Sequence, residues 1–233
     1  GDVYLHQITF IEGWQYSELI AALHDHDAID LSNFNSETIM ANLGLPNMHP
    51  EGQFFPDTYW FPRGITAISL LRQAHIALTE RLNRAWSSYS AKAVLVAPYE
   101  ALILASIIEK ETRVAAERVR ISGVFHRRLM RGMRLQTDPT VIYGLGSDYT
   151  GRLSRTNLTQ DTPYNTYTRN GLPPTPIALV GQASLSAAVN PQLGSAIYFV
   201  ATGRDDGSHY FSSTLEEHNA AVDRYLKQTE SIH

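Results

Sequence analysis

The run YEALILASIIEKETRVAAERVRISGVFHRRLMRG, residues 99–132, decides the fold class. Its apolar residues return every three or four positions, the period of a helix with one face turned inward. Pro98 stands just ahead of it, where a helix can begin. The Ser-Gly pair at 122–123 is the expected break. Within the run, ASIIEKETRV (105–114) carries two glutamates, Glu109 and Glu111. Two helical steps set them about 160° apart around the axis, so only one can share the apolar stripe. That stripe holds Leu104, Ile107, Ile108, Glu111 and Ala115. Glu109 lies opposite, with Arg113 one turn on, and reads as solvated or locally paired. Glu111 has Ile107 and Ala115 at its i±4 positions and no basic residue at either. A carboxylate on an apolar stripe costs free energy unless it is paired or protonated. Desolvation raises its pKa, which is what a general acid at neutral pH needs. Two readings stand: a general acid, or a carboxylate met by an Arg or a backbone N–H from elsewhere.

Outward from this run the pattern changes on both sides. VYLHQITFIEG (3–13) alternates polar and apolar residues and ends in glycine, as a strand entering a turn does. WQYSELIAALHDHD (14–27) has helical spacing at Leu19, Ile20 and Leu23. NSET (35–38) is a plausible helix start. The stretch 43–64 is irregular, and its large aromatics need a surface to pack on. TAISLLRQAHIALTERLNRAWSSY (66–89) is a long helix with Ile68, Leu71, Ala74, Leu78 and Leu82 in register. After residue 132, MRLQTDPTVIYGLG (133–146) is short, β-branched and punctuated by Pro and Gly, and 147–180 is polar. SLSAAVNP (184–191) reads as a helix stopped by proline. AIYFVATG (196–203) reads as a buried strand, SHYFSST (208–214) as its antiparallel partner, and LEEHNAAVDRYLKQ (215–228) as a closing helix. There are no internal repeats. This order predicts an α+β domain of helices with a small antiparallel sheet, not regular βαβ alternation.

The 233 residues are enough to bury a real core. With a net charge of −4, no basic field draws the molecule to nucleic acid or to an anionic membrane. A neutral or polymeric polar substrate suits this balance better. There are no cysteines, which removes disulfides, thiolate catalysis and Cys-ligated zinc. No apolar run reaches the ~20 residues needed to span a bilayer, and no signal peptide is visible. The chain begins with Gly, and reads as an excised fragment. HDHD (24–27) invites a metal reading, but no third distant ligand accompanies it. A solvated helix end is the better reading, and no metal or cofactor is expected.

ASIIEKET (105–112), RLQTDPTVIYGLG (134–146), YNTYTRNGLPPTPI (164–177) and YFVATGRDDGSHYF (198–211) occur in the order of one known family. Together with the aromatic lead-in EGQFFPDTYWF (51–61), they closely resemble the YceG-like family, from about residue 4 to residue 228. The resemblance implies a lytic transglycosylase that cuts within peptidoglycan glycan strands and limits their length. The family's catalytic glutamate is the second of its E-K-E-T motif, which is Glu111 here. The family is normally anchored in the inner membrane by an N-terminal helix, absent here, and works on the periplasmic side. A LysM-like module follows the anchor. The resemblance therefore implies that residues 1–13 are the tail of that module, 14–95 a mainly helical lead-in and 96–233 the catalytic core. Peptidoglycan strands are the implied partner, with peptidoglycan synthases as candidates. Two departures stand out. The family's Asn-Arg-Leu after the catalytic helix is His126-Arg127-Arg128-Leu129 here, and its Pro-Gly after LPPxPI is Val180-Gly181.

Such an enzyme cleaves the bond from N-acetylmuramic acid to N-acetylglucosamine without water. The muramic 6-hydroxyl attacks its own anomeric carbon and leaves a 1,6-anhydro end. One glutamate can serve twice, as acid to the leaving oxygen and then as base to the hydroxyl. The two-carboxylate plan of most glycosidases is then not required. A polar groove should surround Glu111. Gln136, Thr137 and Asp138 fit, although Asp138 reads equally as a turn cap beside Pro139. Tyr164 or Tyr167 can stack on a sugar face or pack in the core. Asn165 can bond an acetamido group or tie down its own loop. His209, in the family's Gly-x-His-x-Phe pattern, is either a groove residue or a structural one. Two other functions stay open. One is a lysozyme-like muramidase using water and a second carboxylate such as Asp138. The other is a non-catalytic glycan-binding module of a cell-wall synthesis complex.

Overall fold

The structure is a computed structural model that describes residues 4–89 and 94–230. Residues 1–3 of the expected tail lie outside the described residues. The N-terminal part opens with β1 (Leu5–Thr9), α1 (Tyr16–His24), β2 (Ile29–Asp30), the single turn α2 (Ile39–Asn42), β3 (Thr58–Pro62) and β4 (Ile65–Thr66). β1 pairs antiparallel with β3 along its whole length, Leu5 opposite Pro62 and Thr9 opposite Thr58. β2 and β4 form a two-residue parallel pair. The first strand and the helical lead-in are thus built into one unit.

The long helix α3 (Ala67–Ser87) follows. Thr66 caps it by accepting the Ser69 N–H at 3.2 Å. Its buried residues serve two apolar clusters. Leu70, Leu71 and Ala74 join Phe10, Leu19, Leu23, Phe54 and Phe61. Leu78 and Ala85, farther along, join the residues of α4 (Pro98–Glu111), α5 (Arg118–Met130) and α8 (Gln182–Val189). α4 is the axis of the second cluster: every residue from Ala101 to Ile108 is buried.

That burial corrects two expectations. A helix sheathed on all sides has no solvated face, so Glu109 is not solvated, and its partner is not Arg113. Its carboxylate lies 3.4 Å from the Arg118 guanidinium, with only 6% of the side chain exposed, and it accepts the Gly181 N–H at 3.0 Å. Second, the break in the 99–132 run falls at 112–117, directly after Glu111, not at Ser122-Gly123. Thr112 leaves the helix with φ −143° and ψ 139°, and its hydroxyl accepts the Val114 N–H at 3.0 Å. That local bond competes with continuing the helix. A single 3-10 turn (Ala115–Glu117) then leads into α5, and Gly123 sits inside α5 unbroken.

The remaining chain adds α6 (Asp138–Leu145), the short α7 (Arg155–Thr159), α8, the antiparallel pair β5 (Tyr198–Ala201) and β6 (His209–Ser212), and α9 (Leu215–Glu230). Tyr198 faces Ser212 and Ala201 faces His209. The hairpin matches the expected pairing, but β5 is half-buried along its length instead of buried. Phe199 and Phe211 pack against the core cluster, while Tyr198–Ala201 border a cleft. The α+β expectation holds.

Candidate active site

Glu111 is the last residue of α4. The helix carries its carboxyl out of the core and stops it at the edge of a cleft of about 590 Å³, lined among others by Arg128, Asp138, Tyr167, Tyr198 and His209. Each comes from a different support: α5, the start of α6, the 164–167 loop, β5 and β6. The three residues Glu109, Lys110 and Glu111 divide their work. Glu109 fastens α4 to α5 and to Gly181. The Lys110 ammonium donates to the Gly13 carbonyl at 3.0 Å. Only Glu111 reaches the cleft.

The Glu111 carboxyl accepts one hydrogen bond, from the Thr137 hydroxyl at 2.5 Å to Oε2. It makes no ion pair among the described residues. Burial pushes its pKa up to about 6, against the stabilising pull of Thr137. His209 and Arg128 also lower it, and the Asp138 charge raises it. Desolvation therefore wins. Such a group holds a proton in part near neutral pH and can also take one back.

Thr137 is placed by a small lattice of hydroxyls. Its N–H donates to the Thr166 Oγ1 at 3.1 Å, and the Thr140 hydroxyl donates to the Thr137 carbonyl at 2.8 Å. Thr137 is the N-cap residue of α6, yet its side chain caps nothing and donates to Glu111 instead. The preceding Gln136 has φ +52°, the sole left-handed non-glycine among the described residues. Residues in that region cost of order 1–3 kcal/mol and persist where the surroundings enforce them. Here the enforcement is visible. The Gln136 N–H donates to the Thr166 carbonyl at 3.1 Å, and its Oε1 accepts from Arg128 at 3.2 Å.

Arg128, which the sequence reading did not single out as functional, organises this wall. It is 7% exposed. Nε donates to the Ile197 carbonyl at 2.6 Å, and Nη1 to the Leu135 carbonyl at 2.8 Å and the Arg134 carbonyl at 3.1 Å. It thus stitches the start of β5 to the loop that carries Gln136 and Thr137. The neighbours His126, Arg127 and Arg128 point in three directions. His126 turns into the core, with Nδ1 2.9 Å from the Ser122 carbonyl. Arg127 holds the Ala196 and Gln192 carbonyls at 2.6 and 2.9 Å, and Arg128 faces the cleft.

Of the predicted groove residues, Gln136, Asp138, Tyr167 and His209 line the cleft with Glu111, and Thr137 bonds to it. The Tyr167 hydroxyl donates to Asp138 Oδ1 at 2.6 Å. Asp138 is the first residue of α6, not a turn cap. Tyr164 and Asn165 do not join them. Asn165 is 1% exposed, and its amide donates to the carbonyls of Gln160 (2.7 Å), Asn157 and Leu158 (both 3.2 Å). Its Oδ1 accepts the Tyr167 N–H at 2.9 Å. Its hydrogen-bonding capacity is spent on its own loop. Tyr164 packs edge-on against Tyr143, centroids 4.8 Å apart, and bonds Thr175 at 2.8 Å. Asn165 holds the backbone of Tyr167, which does line the groove. At HDHD, the His26 Nε2 lies 3.0 Å from the Gln7 carbonyl, and no group of three or more potential metal ligands occurs among the described residues.

Sequence reasoning also missed Glu117. It sits 92 residues before His209, yet its carboxylate meets that ring at 2.7 Å. No local spacing could have paired them.

A family model described as the YceG-like family matches residues 2–224. The chain belongs to the YceG-like family. An endolytic murein transglycosylase of Bacillus subtilis is 35% identical over 241 residues, covering 96% of this chain and 66% of its own. A protein of the same description from Streptococcus pneumoniae is 30% identical over 230 residues, covering 94% of this chain and 41% of its own. The chain therefore spans just under two thirds of the first relative and less than half of the second. A yceG-like protein of Listeria monocytogenes has the same fold, with a TM-score of 0.77 at 29% identity over 92% of this chain and 75% of that one. The residues matched by the family model include Glu111 and the residues that line the cleft.

Proposed function

We propose that this YceG-like chain is an endolytic lytic transglycosylase. It cuts the bond from N-acetylmuramic acid to N-acetylglucosamine inside peptidoglycan strands and leaves 1,6-anhydro ends. The observation that carries this is the Glu111 carboxyl: at the mouth of a cleft, without an ion pair among the described residues, with its pKa pushed up to about 6. Protonated, it gives its proton to the leaving glycosidic oxygen. As carboxylate, steadied by the Thr137 hydroxyl, it is a base of matched strength. Relatives described as endolytic murein transglycosylases support the substrate class. The Tyr167 and Tyr198 rings in the cleft suit sugar faces, and Gln136, Asp138 and Arg128 suit hydroxyls and amides.

A non-catalytic glycan-binding module would have its glutamate fully salt-bridged, with no groove passing it; neither is seen at Glu111. The muramidase reading has one observation in its favour, the Asp138 carboxylate in the same cleft. Its Oδ1 already accepts from Tyr167. Mass spectrometry of digested glycan strands separates the two, since only the transglycosylase leaves anhydro ends. Glu111→Gln should lower anhydro product by about 10²- to 10⁴-fold with the fold intact, because Gln keeps the shape and loses the proton. A folded variant with wild-type turnover would end this reading.

Setting of glycan strand length, association with peptidoglycan synthases and anchoring at the inner membrane facing the periplasm are part of the same proposal, and rest on the family resemblance. The LysM-like module we extend beyond residues 1–13. β1, α1, α2 and β3 form one paired unit from Leu5 to Pro62, and that whole unit is the better candidate. The catalytic core we keep at 96–233, with the rest of 14–95 as its lead-in.

A further inference from the structure

Glu117 and His209 form an acid–imidazole pair at the edge of the same cleft, and a one-glutamate mechanism leaves the pair idle. Glu117 is 7% exposed. Its Oε1 accepts the backbone N–H of His209 at 3.0 Å, and its Oε2 lies 2.7 Å from the ring Nδ1. A carboxylate in that place makes Nδ1 the protonated nitrogen, since two acceptors cannot bond each other. Nε2 is then the basic nitrogen, on a ring that lines the cleft with Glu111. Phe199 sits edge-on to the ring at 5.5 Å and Phe211 at 6.4 Å, so the ring plane is fixed as well. An acid that fixes a histidine tautomer and steadies the imidazolium is the arrangement that makes histidine a general base.

We propose that His209, positioned by Glu117, takes the proton from the muramic 6-hydroxyl, so that Glu111 acts as the acid alone. The inference rests on the transglycosylase reading. In the step, the 6-oxygen bonds to the anomeric carbon as the glycosidic C–O bond breaks. Glu111 gives its proton to the departing oxygen, and Nε2 receives the hydroxyl proton. Transfer from the imidazolium back to the Glu111 carboxylate resets the site, with no water consumed and no change of oxidation state. Glu117 is a positioning residue. The charged and titratable groups around the two reacting side chains are Arg128 from α5, Asp138 from α6, Glu117 from the turn before α5 and Tyr167 from the 164–167 loop; Tyr198 of β5 and His218 of α9 share the cleft.

Glu117→Gln tests the role without a large change of shape. Its amide oxygen can still accept the His209 N–H, but its NH2 group facing Nδ1 moves the ring proton to Nε2. On soluble glycan strands, kcat for anhydro product should fall about 10²-fold or more with little change in KM. The same fall is expected of His209→Gln. Wild-type kcat in either variant would overturn the inference. Nitrogen NMR of 15N-histidine-labelled wild-type protein gives an answer even if both variants misfold. An Nδ1–H tautomer with a bare Nε2 is expected, and an Nε2–H tautomer would sink the proposal. Product analysis keeps the two ideas apart. Wild-type digests without anhydro ends end the transglycosylase reading and the inference with it. Anhydro ends with unchanged variant kcat end the inference alone.

Discussion

At the residue scale, the two glutamates show what periodicity can and cannot settle. The helical stripe separated Glu111 from Glu109 correctly, because a 160° offset is set by backbone geometry. It misjudged what lies at 160°, because the stripe of one helix says nothing of how many neighbours that helix has. Glu109 ended beside Arg118 and under the Gly181 N–H. In the same way, Asn165 could be recognised as a polar loop residue, but its carbonyl partners at 157, 158 and 160 depend on the loop's closure. Thr137 was assigned to substrate and is bonded to the acid. Its hydroxyl favours the charged form of Glu111, so Thr137→Val should raise that pKa further above 6. A hydrogen bond to a charged group is worth about 1.5–3 kcal/mol, or about one to two pKa units. Activity requires the protonated acid, so the alkaline fall of the pH–rate profile should move up by that amount. A profile that stays in place, or moves to lower pH, would show that the Thr137 bond is not made in solution.

At the scale of elements, the helices and the β5–β6 hairpin were legible, because their patterns run for many residues or are bracketed by Gly and Pro. The bend between α4 and α5 was misplaced because two local signals competed. Ser122-Gly123 is the commoner helix breaker, whereas Thr112 ends α4 through its own side chain. Gly123 has another purpose. A Cβ at that position would lie 2.4 Å from the Gln192 carbonyl oxygen and 2.9 Å from the Arg127 guanidinium. The glycine lets the segment after α8 lie directly on α5, where Arg127 grips it through Gln192 and Ala196 just ahead of β5. Gly→Ala inside a helix normally gains about 0.5–1 kcal/mol. Here overpacking against backbone should cost about 1–3 kcal/mol, so the clash decides the sign. Gly123→Ala should melt lower, by about 2–4 °C for each kcal/mol in a chain of this size. A variant with an equal or higher midpoint would mean that the 190–196 segment yields freely.

Over the whole molecule, the N-terminal unit and the half that carries the cleft share α3, whose two ends feed two apolar clusters. They also share one buried carboxyl group that the cleft does not use. Glu51, at the head of the aromatic lead-in, is 3% exposed. It accepts the Tyr16 N–H at 3.0 Å and the Tyr143 hydroxyl at 3.1 Å, so it ties the start of α1 to α6. The sequence marked this stretch for its aromatics and gave no sign that the glutamate would be enclosed. Burial pushes the Glu51 pKa up to about 7, against the pull of its hydrogen bonds. The folded protein then holds a proton here that the unfolded chain has lost. Stability from this group is therefore full below the ordinary glutamate value of 4.5 and falls as pH rises toward 7. Glu51→Gln removes that dependence. Its amide oxygen can accept from Tyr16, and its NH2 can donate to the Tyr143 oxygen. The variant should match the wild type near pH 4.5, gain on it up to about pH 7, and then keep an advantage on the order of 1–3 kcal/mol. Unfolding midpoints of both proteins from pH 4.5 to 9 test this. A wild type that stays the more stable of the two at pH 8 would mean that Glu51 is held as a carboxylate, and that its tie between the two halves is an ionic one.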